Sequence, residues 1–490
     1  MFRIIQRQIF PVLNALGPLL LIVALAHLVP IAIAWRDAEP TITQFCWSAG
    51  ACLISGLIFS FSTRRFRREL EPKDGFLLVT ISWLSVALFG SIPLTLLLPE
   101  IPYYRLFFET VSCLTTTGAT ALTNLNDLPL SVNYWRCLLS WMGGMGIIVL
   151  AVAVLPLMGV GGSQLFKAEN SNLFKDDKLT PRIADTAKAL YSIYILMSAG
   201  CVLAYHWAGM SWDDAVMFSF TTMSLSGIAP YDQSIGFFNS EAIEMVSVGF
   251  MIFSGFNFSL HFTAWRQRSV WSYFTDVEAR SWMTMLLFGY VVVFFSLSSQ
   301  HYYADWQSTL RHTLFSVSSI FSTTGFTTQD YSVWPFSLGF FLLVCCLFAS
   351  CSGSTGGGVK MIRMLVMLKQ IVLTINKLLR PRDYLPLRIG DDVISEKIVT
   401  TVFAFLALHL MVMLTCSFIV MLTGVPFLDA VSSIIACIAN TGPGLGSVGP
   451  SGNYADCNPV HLWVCSFCMF VGRLELFTVF AIFTPAFWRN

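Results

Sequence analysis

Long apolar runs separated by short polar breaks dominate the chain, and the runs able to cross a membrane set its architecture. A spanning helix needs about 20 apolar residues to cover roughly 30 Å of hydrocarbon. Such runs lie at residues 12–35 and 43–63, closed by the basic stretch "RRFRREL". They recur in pairs, at 75–98 with 132–158, 184–208 with 239–263, 281–299 with 335–368, and 398–423 with 460–486. The pattern predicts an all-α polytopic membrane protein with ten crossings. Between the members of each pair sits a shorter apolar stretch, such as "DAVMFSFTTMSLS" or "FLDAVSSIIACIAN". A helix of about a dozen residues rises only about 20 Å. These stretches are therefore predicted to be re-entrant.

Each short stretch runs into a polar, glycine-centred phrase. The four read "CLTTTGAT" (113–120), "TMSLSGIA" (222–229), "FSTTGFTTQD" (321–330) and "ANTGPGLG" (439–446). Their central glycines, Gly118, Gly227, Gly325 and Gly442, are spaced by 109, 98 and 117 residues, which predicts four copies of one unit. One such phrase alone would read as a helix C-terminal cap. Four of them, each behind a helix too short to span, point to a water-filled path, because irregular backbone in lipid leaves peptide groups unpaired. Rings of backbone carbonyls can replace the water shell of an alkali cation. Glycine admits the backbone angles that aim successive carbonyls inward, and the partly negative C-terminal ends of the short helices favour a cation.

Composition narrows the class. Of 490 residues, 55% are apolar and only 12% charged, so no large water-soluble domain is expected. The net charge of +1 becomes informative once the charges are placed on two sides. With the N-terminus cytoplasmic, every Lys and Arg falls on the cytoplasmic side or its helix ends except Arg36, Arg105, Arg136, Arg311 and Arg473. The outer loops carry acids, among them Asp127, Asp213, Asp214, Asp232, Asp305 and Asp429, a sign that concentrates cations. The basic start and the absence of a small-x-small cleavage site make the first apolar run a retained helix. The 13 cysteines fall mostly inside apolar runs, as with Cys345 and Cys346, and read as packing residues. No metal-ligand spacing of histidines and no catalytic constellation is evident, so an enzyme is not expected. Nor is a nucleic-acid partner.

Two further features lie inside apolar sequence. "CSGSTGGGVK" (351–360) interrupts the run at 335–368, and its density of glycines predicts no stable helix there. It is not a nucleotide-binding loop, because Lys360 follows a valine and no strand precedes it. Arg473 in "FVGRLELF" is a cation near the middle of a predicted spanning helix, and Glu475 points about 200° away on that helix. Something must offset such a charge. "GGMGII" (143–148), by contrast, reads as close helix packing.

Together "TTTGAT", "STTGFTT", "NTGPGLG", "CSGSTGGGVK" and "GRLELFTVF" resemble the Trk/Ktr/HKT superfamily of potassium transporters. The two leading helices and "WMGGMGIIVLAVAVLPLMGVGGSQLFKAEN" resemble its bacterial TrkH branch, over essentially the whole chain. The resemblance implies potassium uptake across the cell inner membrane by four helix–pore helix–helix repeats around one pore. These would occupy 71–160, 161–265, 266–370 and 371–490, after an N-terminal helix pair at 1–70. It places a potassium filter on Thr116, Thr117 and Gly118, on Leu225, Ser226 and Gly227, on Thr323, Thr324 and Gly325, and on Asn440, Thr441 and Gly442. The second phrase departs most, with Ile228, Ala229 and Pro230 after its glycine. A gate is implied at Ser352, Gly353, Gly356, Gly357 and Gly358, with Arg473 holding the loop across the path. A homodimer in membrane lipid and a cytoplasmic TrkA-type nucleotide-binding ring are implied as partners. The linkers "SQLFKAENSNLFKDDKLTPR" and "NKLLRPRDYLPLR" are long enough to dock it, and the nucleotide would bind the ring rather than this chain. Broken helices and repeats also suit an ion-coupled symporter, the alternative reading.

Overall fold

Four short helices stand inside a jacket of longer ones. The computed structural model describes residues 9–68, 71–149, 179–348, 350–383, 385–390 and 392–488. The jacket begins with α1 (Phe10–Ala26) and α2 (Leu28–Arg36), which form one span, and α3 (Ile42–Ser62). Gly17 and Gly56 let α1 and α3 touch: a side chain at either would lie about 3 Å from the other's carbonyl oxygen. The turn after α2 is tied to the rest of the protein. Arg36 Nη1 meets Asp213 at 2.9 Å, and Glu39 accepts from Leu130 N at 2.7 Å.

Then come α4 (Pro72–Gly90), α5 (Ile92–Leu97), the short α6 (Tyr103–Leu114) and α7 (Leu130–Val149). The same order returns with α8 (Leu179–Trp207), the short α9 (Trp212–Met223), and α10 (Glu241–Ser254) with α11 (Phe258–Gln267). It returns again, after α12 (Ser272–Thr275), with α13 (Val277–Ser299), the short α14 (Trp306–Phe321), and α15 (Phe336–Cys345) with α16 (Met361–Leu379). A two-stranded hairpin, β1 (Arg388–Ile389) and β2 (Asp392–Val393), precedes the last set. That set is α17 (Glu396–Met421), the short α18 (Phe427–Ile438), α19 (Pro459–Leu474) and α20 (Leu476–Ile482), followed by α21 (Pro485–Trp488).

Among the described residues six helices are long and apolar enough to cross a membrane, or eight if each bent pair counts as one span. The short helices are buried on all sides near their C-terminal ends: Leu106 through Leu114 of α6 and Phe315 through Phe321 of α14 are all buried. Such helices are core elements, unlike the jacket helices, whose outer faces expose residues such as Leu287, Phe288 and Phe295. Ser211 and Asp305 cap α9 and α14 through Asp214 N and Ser308 N.

Two runs expected as single helices are broken, and a third opens where its glycines predict. The run at 239–263 bends by 93° between α10 and α11, where a side chain at Gly255 would lie 2.4 Å from the Trp282 ring. The run at 335–368 gives way to a loop between α15 and α16, as the glycine density predicts. The run at 460–486 bends by 109° at Glu475, whose φ is 63° and ψ 133°. Neither Pro nor Gly stands there; the carboxylate turns away to meet Arg363, Nη2 to Oε2, at 2.8 Å. The helical angle assumed between Arg473 and Glu475 therefore does not exist. The far end of the run at 132–158, and Lys167, Lys175 and Lys178 of the linker after it, lie outside the described residues.

Candidate functional site

The four short helices end in one and the same way. Thr116, Leu225, Thr323 and Asn440 adopt left-handed conformations with φ of 52°, 53°, 60° and 53°. Each amide donates three residues back, and the next amide five back: Thr116 N to Cys113 O and Thr117 N to Ser112 O, with matching pairs in the other three. This is the Schellman C-terminal motif. Its left-handed position is held by residues other than glycine, at about 1–2 kcal/mol each. The central glycines come two residues later, so capping is not what they are for.

Their purpose shows in what faces them. A Cβ on Gly118 would lie 2.3 Å from Ser226 O, on Gly227 2.1 Å from Thr324 O, on Gly325 1.9 Å from Thr441 O, and on Gly442 2.6 Å from Thr117 O. Each phrase thus presses its glycine against the carbonyl before the next phrase's glycine, and the fourth returns to the first. The four turns close into a ring that excludes every side chain at these positions. Their φ values, 88°, 70°, 82° and 93°, are also open only to glycine without strain. Leu225, Ser226 and Gly227 take the same backbone as the rest despite Ile228, Ala229 and Pro230.

Behind the ring the polar groups are tightly paired. Glu109 and Arg136, both 0% exposed, meet at 2.7 Å. Glu109 also accepts from Thr120 Oγ1 and Ala121 N, and Arg136 donates to Ala229 O at 3.0 Å, so one ion pair joins the first phrase to the second. Arg311 and Glu244 tie α14 to α10 at 2.7 Å. Among the described residues the side-chain oxygens of Thr116, Asn440 and Thr441 are buried without a partner. Outside the ring lies a cavity of ≈ 70 Å³ lined by all four central glycines, with Tyr231, Asp232 and Tyr454 on its wall. Several outer acids are occupied locally: Asp232 accepts from Leu125 N, and Asp429 from Ser447 N and Oγ.

On the other side the loop between α15 and α16 lies against the C-terminal ends of three short helices. Thr355 Oγ1 donates to Met223 O at 2.9 Å, a Cβ on Gly356 would sit 3.0 Å from Ser322 O, and one on Gly357 2.1 Å from Ala439 O. Gly357 N donates to Thr323 Oγ1 at 2.7 Å, linking the loop to the third phrase. Gly353 O accepts from Phe258 N, Gly358 turns at φ 66°, and Ser352 N donates to Glu278 Oε1 at 2.7 Å. The same oxygen takes Ile362 N at 3.0 Å, so Glu278 holds both ends of the loop. Arg473, 3% exposed, donates from Nη1 to Thr355 O at 2.9 Å, and Lys360 Nζ donates to Gly356 O. A Cβ on Gly143 would lie 1.8 Å from Leu114 O, so "GGMGII" packs on the end of α6, the short helix that the loop leaves free.

All eighteen residues singled out from sequence therefore lie in the ring or in the loop and arginine beside it. Glu109, Arg136, Glu278, Arg363 and Glu475 were not foreseen in their pairings, which span 27 to 112 positions of chain. Among the described residues no three His, Cys, Asp or Glu side chains come together to hold a metal ion. The oxygens offered by the ring are backbone and hydroxyl oxygens, the donor set of alkali cations.

The family profile TrkH, a cation transport protein, matches residues 39–489. The chain belongs to the TrkH family. It is 41% identical over 480 residues to the Trk system potassium uptake protein TrkH of Halomonas elongata, covering 98% of this chain and 99% of that one. It is 38% identical to the protein of that name from Escherichia coli K12, over 94% of this chain and 95% of that one. The crystal structure of the potassium transporter TrkH from Vibrio parahaemolyticus superposes with a TM-score of 0.92 at 35% identity, covering 98% of this chain and all of that one. The helical polytopic fold is thus the fold of this family.

Proposed function

We propose that this TrkH-family chain takes up potassium across the bacterial inner membrane as the membrane subunit of a Trk system. The observation that carries the reading is the closed ring of four glycine turns, in which four backbones of like conformation each set a carbonyl against a neighbouring phrase's glycine. In this reading residues 71–160, 161–265, 266–370 and 371–490 are pore repeats and α1 to α3 are additions to them. Thr116–Gly118, Leu225–Gly227, Thr323–Gly325 and Asn440–Gly442 are the selectivity filter. Dehydrated potassium exchanges its water shell for their oxygens.

The loop at 351–358 with Arg473 is the gate. It sits beneath the ring, it has few apolar contacts of its own to give up, and the guanidinium supplies a fixed positive charge in the cation's way. Control comes from a cytoplasmic nucleotide-binding ring, and the chain works as a homodimer with its N-terminus in the cytoplasm. Proteoliposome uptake tests the function: with the pH gradient clamped, potassium enters and sodium does so far more slowly. Potassium uptake that vanishes when the proton gradient is removed overturns the channel-like reading in favour of a symporter.

A further inference from the structure

A ring made by one chain has to close between its first and last members, which here lie far apart in sequence. Two residues of the last set of helices make that joint. Asn440 Nδ2 donates to Thr117 Oγ1 at 2.9 Å. Tyr454, twelve residues past Gly442, makes three contacts. Its backbone amide donates to Thr120 O at 2.8 Å, its ring lies on Phe108 with centroids 5.2 Å apart, and its hydroxyl donates to Gly442 O at 2.9 Å. The residue is 2% exposed. Among the described residues, the carbonyls of Gly118, Gly227 and Gly325 receive no such side-chain bond.

We propose that Tyr454 is a positioning residue for ion selectivity, fixing the Gly442 carbonyl and through it the fourth quadrant of the ring. The inference rests on reading the four phrases as the selectivity filter. A carbonyl held by a phenolic O–H resists swinging inward around an ion smaller than potassium, and a filter that cannot contract discriminates against sodium. The phenol is itself held. Cys437 Sγ lies 4.0 Å from its oxygen on the donor side, so the phenol's own hydrogen is left for Gly442 O. The amide bond to Thr120 and the tilted contact with the Phe108 ring fix the ring that carries the hydroxyl. Elsewhere in the ring side chains hold carbonyls beyond the glycine, as Ser319 Oγ holds Phe326 O at 2.7 Å and Arg136 holds Ala229 O; among the described residues only the fourth phrase has its central glycine carbonyl held directly.

The test is Tyr454→Phe in the full chain, reconstituted in proteoliposomes with the membrane potential clamped and potassium and sodium uptake measured separately. The ring contact with Phe108 and the amide bond survive this change; only the hydroxyl goes. The preference for potassium over sodium falls about fivefold, the factor carried by one buried hydrogen bond, and the KM for potassium rises while maximal potassium flux changes by less than about twofold. Tyr303→Phe removes a hydroxyl outside that cavity, one that accepts from Trp334 Nε1 at 3.2 Å instead of donating to a filter carbonyl, and it leaves the preference unchanged. Unchanged preference in Tyr454→Phe overturns the proposal, as does an equal loss in both tyrosine variants. Gly325→Ser separates the two layers of inference: if it shifts preference while Tyr454→Phe does not, only the role of Tyr454 falls, and if both are silent the filter reading falls with it.

Discussion

Arg473 reaches the backbone of Thr355, across 118 residues of chain, with a 2.9 Å hydrogen bond from Nη1 to the carbonyl oxygen. Its Nε and Nη2 are buried without partners among the described residues, so its charge is not neutralised in place. A cation of this kind costs about 2.5–3.5 kcal/mol to insert, and the loop carbonyl offsets part of that. Replacing it frees the loop and removes a positive charge from the path at once. Arg473→Ala therefore raises potassium flux measured without any cytoplasmic partner, while Arg473→Lys, which can still donate to one carbonyl, largely keeps control. Equal or lower flux in monodisperse Arg473→Ala protein would make the residue structural.

Glu278 Oε1 accepts both Ser352 N and Ile362 N, which pins the loop at its two ends. Glu278→Gln keeps a carbonyl oxygen there and leaves basal flux near that of the parent. Glu278→Ala abandons two buried amides, at about 1–3 kcal/mol each, and raises basal flux. Shortening residues 353–358 acts in the same direction. Identical basal flux in folded Glu278→Ala and parent protein would sink the idea that these anchors restrain a gate.

Gly325 has the tightest neighbour in the ring, with Thr441 O 1.9 Å from a notional Cβ. Gly325→Ser pushes that carbonyl aside and weakens discrimination against sodium more than it lowers total flux. Gly249→Ser, on α10 with nothing within 4 Å, is the control and changes neither. Wild-type ion preference in the first variant would remove the third phrase from the filter.

The Glu109–Arg136 pair is wholly buried, so breaking it by halves is costly. Arg136→Met leaves a carboxylate uncompensated and costs about 3–5 kcal/mol, whereas Glu109→Gln combined with Arg136→Met costs much less. Apparent melting temperatures in detergent should therefore rank parent above double above single variant. A single variant as stable as the double would show that the pair carries no such coupling.

What the sequence revealed and what it hid divide along one physical line. The positions of the short helices and of all four glycines were readable because a repeated local pattern marks them. The left-handed turn at Leu225 was not, since leucine is a poor guide to that conformation. The broken helix at Glu475 was hidden for the opposite reason: nothing local breaks it, and the cause, Arg363, lies 112 residues away. Glu278, Glu109 and Tyr454 act on backbone groups of other segments, so no pattern of neighbours could announce them. The loop at 351–358 was visible as a gap in a helix, but its seat against Met223, Ser322 and Ala439 came only with tertiary structure.

The bond from Asn440 to Thr117 joins residues 323 positions apart. At about 5–20 residues per second, the ribosome makes the second of these residues roughly 15–65 s after the first. For that interval the Thr117 hydroxyl has only its local partner, Thr115 Oγ1 at 2.8 Å, and the Thr120 carbonyl still lacks the Tyr454 amide. In the filter reading, a partly made chain therefore has no finished route for ions until the fourth turn arrives. On that reading, the order in which the chain is written sets when the route can open.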